Sequence, residues 1–105
     1  MRGLRIVRTD DPAIQVIVED IADPSLVADV RAQILAVFGE LNVPPGTWVV
    51  ALVASETRGR WDVAIRGPKA SHFVSFAALP AHIPGVAAAH VRRTLRQFST
   101  PAVSD

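Results

Sequence analysis

Three histidines, His72, His82 and His90, fall within 19 residues of one another. Histidine is the commonest metal ligand and the side chain that titrates nearest neutrality. A strand–loop–helix unit could gather three of them around zinc. The spacing argues against it. No HxH, HxxxH or HExxH pattern occurs. The eight-residue step from His82 to His90 leaves them roughly 80° apart even on one continuous helix. No metal and no other cofactor is expected. Nucleophilic chemistry has as little local support. Ser71 precedes His72, but neighbours on a strand point to opposite faces. No GxSxG elbow surrounds Ser55, Ser75 or Ser99. The chain has no cysteine and no tyrosine, which removes thiolates, disulfides and a phenolic acid. Glu56 and Asp62 flank an Arg-Gly turn and could exchange protons. Their first reading is as hairpin charges offset by Arg58 and Arg60 across the strands, contributing about a few tenths of a kcal/mol. No catalytic residue is assigned. A small enzyme would have to use His72 or His82 in a pocket at a dimer interface, where partners need not be near in sequence.

Phosphate recognition needs a glycine-rich loop before a helix. The six glycines are scattered and form neither GxGxxG nor GxxxxGK[ST]. Basic residues form two sets. Arg58, Arg60, Arg66 and Lys69 sit on or beside two turns, and Arg92, Arg93 and Arg96 share one side of the last helix. Together they make nucleic-acid binding an alternative function. The net charge of +1 is too small to drive such binding by itself. The distribution is less even: seven acids and four bases in residues 1–45, three acids and seven bases in residues 46–105.

The elements that would position these groups read clearly. LRIVR, residues 4–8, can form a short strand, and TDDP turns the chain. AIQVIVEDI, residues 13–21, alternates with Ile14, Val16 and Val18 on one face, while Ile17 interrupts the polar face. Residues 24–41 form a helix: Asp23 is an N-cap, and Pro24 suits the first turn. Leu26, Val27, Val30, Ile34, Val37, Phe38 and Leu41 recur at helical spacing. VPPG ends the helix. TWVVALVAS, residues 47–55, is apolar on both faces and reads as a central strand covered on both sides. RWDVAIR, residues 60–66, alternates. GPKA is a hairpin corner with Pro68 pre-bent for it, and SHFVSFA follows. Pro80 and Pro84 cannot both enter one regular helix, so LPAHI is a distorted lead-in to a last helix over 84–98.

The order β(β)–α–β–β–β–α implies an α+β fold. It is expected to be a two-layer sandwich of a mostly antiparallel sheet of 4–5 strands with two amphipathic helices. Residues 1–99 make one domain and 100–105 a frayed tail. Hydrophobic residues are 50% of the 105, enough for one core, and charged residues only 20%. No apolar run reaches the length of a membrane span, and MRGLRIVRTDDP does not read as a signal peptide. A cytoplasmic protein is expected. Ten arginines to one lysine, with 16 alanines, match the codon bias of a GC-rich genome such as many bacteria carry.

A helix, three strands and a basic last helix with a glycine–proline turn resemble in outline the double-stranded RNA-binding domains. Here GPKASH lies between the second and third strands of the meander, not the first two. Alanines, not a lysine cluster, open the last helix. LPAHIPG and RRTLRQF are similar to segments of small mRNA-cleaving toxins, yet TWVVALVAS stands where their glycine–serine–histidine motif would be. Neither likeness assigns a family. If both helices cover one face, Val49, Ala51, Val53, Ala64 and Phe73 are left on the other. An open apolar face of that kind marks a contact surface. The expected function is a non-enzymatic binding or assembly module, a homodimer or the partner of another protein. It would dock through Val49, Ala51, Val53 and Phe73 or by adding a strand at a sheet edge.

Overall fold

Strand pairing in the computed structural model, which describes residues 12–98, begins at Pro12. The strand expected over 4–8 and the tail expected over 100–105 lie outside the described residues. In chain order the elements are β1 (Pro12–Val18), α1 (Pro24–Glu40), β2 (Gly46–Ala54), β3 (Arg60–Arg66), β4 (Ser71–Ala77) and α2 (Ile83–Arg96). A 3-10 turn at Pro80–His82 leads into α2. It separates the two prolines that one helix entry could not hold.

Local chemistry sets each boundary. The Asp23 carboxylate accepts the Ser25 N–H at 2.9 Å, satisfying one of the orphan donors of α1, and Pro24 opens the helix. Asp20 takes a φ of 68°, a left-handed conformation that aspartate tolerates better than most residues. From there its carboxylate accepts the Ala54 N–H at 3.0 Å and ties the end of β1 to the end of β2.

The sheet runs β1-β2-β3-β4, with β1 parallel to β2 and the other two pairings antiparallel. A parallel pair needs a crossover, and α1 supplies it. Both helices lie on one side. Val30, Ile34, Val37 and Phe38 of α1 and Ile83, Ala87, Val91 and Leu95 of α2 are buried. They meet Val16, Trp48, Val50, Leu52, Val63, Ile65 and Phe76 from a single face of the sheet. The fold is therefore α+β in two layers. The expectation that β2 is covered on both sides is corrected. Trp48, Val50 and Leu52 are buried, while Val49, Ala51 and Val53 are only half-buried. No element among the described residues lies over that second face.

Candidate functional site

The open face is built by alternation and register. Each strand sends every second side chain away from the helices. The pairings then align those side chains into rows across the sheet. Ile17 stands beside Ala51, Ala51 beside Ala64, and Ala64 beside Phe73. This central row is wholly apolar, with two alanines forming a dip between Ile17 and Phe73. Phe73 is 66% exposed, far more than a phenylalanine that serves a core. On one side lies the row Gln15, Val49, Arg66 and Ser71. On the other lie Val53, Asp62 and Ser75, with Glu19 next along the alternation past β1.

Val49, Ala51, Val53 and Phe73, the surface read from the sequence, thus share this face, together with Ala64. Gln15 and Glu19, not singled out from the sequence, join them by alternation. Asp62 is not the offset hairpin charge expected. Its cross-strand neighbours are Val53 and Ser75, so no arginine offsets it across the strands. Among the described residues, Asp62 and Arg66 have no hydrogen-bond or ion-pair partner.

The histidines are dispersed. His72 shares the covered face with Val74 and Phe76 and meets the Phe98 ring edge-on at 6.2 Å. His90 stacks on Phe76 at 5.3 Å. His82 is exposed in the turn before α2. Among the described residues no three His, Cys, Asp or Glu side chains stand where they could hold a metal ion. Ser71 faces away from His72, as strand geometry requires.

The basic residues do not form one surface. Arg60 and Arg66 end a seven-residue strand, which holds them roughly 20 Å apart. Arg58 belongs to the turn at one end and Lys69 to the turn at the other. On α2, Arg92 grips Glu40 of α1 with two bonds, Nε to Oε1 at 3.1 Å and Nη2 to Oε2 at 3.2 Å. That fork holds the Glu40 carboxyl below the usual carboxylate range, and the charges of Arg92 and Arg96 add to the effect. Arg93 is exposed beside them.

An apolar cavity of about 280 Å³ opens beside Trp48, lined by Pro44, Pro45, Pro68, Lys69, Ala70 and Phe98. Its indole N–H is already committed to the Pro44 carbonyl at 2.9 Å. Among the described residues Lys69 is its only charged lining residue, so they offer little that could fix a ligand's orientation. The glycine of the GP corner belongs to this region. A Cβ on Gly67 would lie 2.5 Å from Cζ3 of Trp48, so the indole occupies the space a side chain would need.

No protein-family model matches the chain, and no curated protein is similar to it at a significant level. No helix among the described residues is long and apolar enough to cross a membrane.

Proposed function

We propose that the chain is a non-enzymatic docking module, cytoplasmic, that binds protein through the open face of its sheet. One observation carries this reading. The row Ile17–Ala51–Ala64–Phe73 crosses all four strands on the face opposite both helices, and a 66% exposed phenylalanine ends it. Water-exposed apolar surface that spans a whole sheet is costly, and covering it stabilises the complex that does so. The valines and alanines of the row's surroundings are small, so the face is flat enough for a partner to lie on.

Nucleic acid is the less favoured partner. Its phosphates would need a contiguous basic surface, whereas the hairpin arginines stand at opposite ends of β3 and Arg92 is engaged by Glu40. A photo-crosslinking amino acid placed at position 73 tests the reading in cells. The expected result is a protein adduct from position 73 and none from position 93 on the outer side of α2. Adducts to RNA or DNA, or equal protein adducts from both positions, would refute it.

A further inference from the structure

The four strands carry on the open face a pattern that is complementary to itself. On β2, Val49 and Val53 flank Ala51; on β4, Ser71 and Ser75 flank Phe73. Within these three rows the two strands read the same in both directions. The other two do not: within these rows β3 carries one charge of each sign, with Arg60 one row beyond Asp62, and β1 leads from the Gln15 amide towards the Glu19 carboxylate just past its end. On β3, Arg66 lies to one side of Ala64 and Asp62 to the other. On β1, Gln15 lies to the same side as Arg66, and Glu19, the residue just past the strand, follows on the side of Asp62. Arg66 and Asp62 are four residues apart on one strand, about 13 Å. They cannot reach each other within one chain.

We propose that two copies of the chain pair face to face about a twofold axis lying along the Ile17–Ala51–Ala64–Phe73 row, with Arg66 of each bound to Asp62 of the other. This rests on the reading of the open face as a protein-docking surface and names its occupant. A half-turn about that axis keeps each strand at its lateral position and reverses its direction. Rows on opposite sides of the axis then exchange. Arg66 comes over Asp62 of the second copy, and Gln15 over its Glu19. Val49 meets Val53, and Ser71 meets Ser75. The apolar row lies over itself, so Phe73 meets Phe73 of the second copy at one side of the dip above the alanines. Sheets pack about 10 Å apart, within reach of an arginine and an aspartate extending from opposite sides.

The charges select this axis over the other simple one. A twofold axis along the strands, between β2 and β3, would lay Arg66 over Val49 and Asp62 over Val53. Both charges would then be buried without partners, which is strongly unfavourable. Four strands at about 4.8 Å and three same-face rows at about 6.8 Å give a flat footprint of roughly 400 Å² per copy. The total, roughly 800 Å², is below the range of stable interfaces, so the pairing is a weak, reversible and concentration-dependent one.

Analytical ultracentrifugation from about 1 to 300 µM tests this, because mass action shifts such a pair across that range. The wild-type chain is expected to pass from monomer to dimer. Asp62→Arg and Arg66→Asp change both symmetry-related contacts at once, and each should raise the dissociation constant about tenfold or more. The double swap Asp62→Arg/Arg66→Asp re-forms both pairs with the residues exchanged. It should return the dissociation constant to within about threefold of wild type, as a coupled pair requires. A cooperative melt for each variant shows that it is folded. Phe73→Asp is expected to abolish dimerisation. A monomeric wild-type chain throughout the range overturns self-pairing, while a protein adduct from position 73 would still uphold the docking surface. Loss of the dimer in Phe73→Asp with no rescue in the double swap overturns the axis alone. A dimer that survives Phe73→Asp and every charge change overturns both.

Discussion

Replacing Gly67 by alanine is expected to destabilise the fold through Trp48. The new methyl would meet Cζ3 at 2.5 Å, Cε3 at 2.7 Å and Cη2 at 2.7 Å. Carbon atoms rest about 3.5–4.0 Å apart, so one group must retreat by about 1 Å. Although a cavity opens beside it, burial, two ring contacts and a hydrogen bond hold the indole where it is. It is 2% exposed, packs edge-on against Phe38 at 5.9 Å and against Phe98 at 6.1 Å, and donates to Pro44. Overpacking of this kind costs about 1–3 kcal/mol, and disturbing the indole hydrogen bond adds about 1 kcal/mol. The stiffer unfolded chain returns about 0.4–1 kcal/mol. A net loss of about 1.5–3 kcal/mol should lower the melting temperature by roughly 10–20 °C in a domain of this size. Thermal melts followed by circular dichroism measure it. In a Trp48→Phe background the smaller ring leaves space, and the added cost of Gly67→Ala should fall by about half or more. A melting temperature within about 3 °C of wild type, or an undiminished cost in the Trp48→Phe background, would show that the indole does not dictate the glycine.

Two further outcomes follow from groups already described. Asp23→Ala removes the carboxylate that caps α1 and should cost about 1 kcal/mol in urea unfolding, whereas Asp23→Ser should retain most of it. The Glu40–Arg92 bridge should make stability fall in acid. Glu40 titrates below its ordinary value of 4.5 when folded, so its contribution is present above that value. It is lost as pH drops through the lowered one. Glu40→Gln should flatten that part of the stability–pH profile, and the difference from wild type should shrink in high salt because the pair is exposed.

The elements were legible because their signals are local. Alternation in RWDVAIR, the Asp23–Pro24 start and the VPPG stop each lie within a few residues. Alternation sets Phe73 opposite His72 and Val74, but which of the two sets the helices cover is decided only by the packing. What escaped depends on register and distance. Glu40 and Arg92 are 52 residues apart in sequence, and no local spacing announces them. Gly67 reads as a turn glycine, when what demands it is an indole from β2. Asp62 looked like an offset hairpin charge, because one strand does not show which residues its neighbours set beside it. Only the aligned rows reveal that Ala64, midway between Arg66 and Asp62, stands in one apolar row with Ile17, Ala51 and Phe73.

The parallel pairing of β1 with β2 also orders events during synthesis. Pro12 aligns with Gly46 and Val18 with Leu52, so each β1 residue waits for a partner made 34 residues later. At about 5–20 residues per second that delay is roughly 2–7 s. Through it the apolar segment AIQVIV has, among the described residues, no strand to pair with, while β3 and β4 each find theirs across a short turn as soon as they emerge. The crossover that places Ile17 on the open face thus leaves the first strand the longest without its sheet.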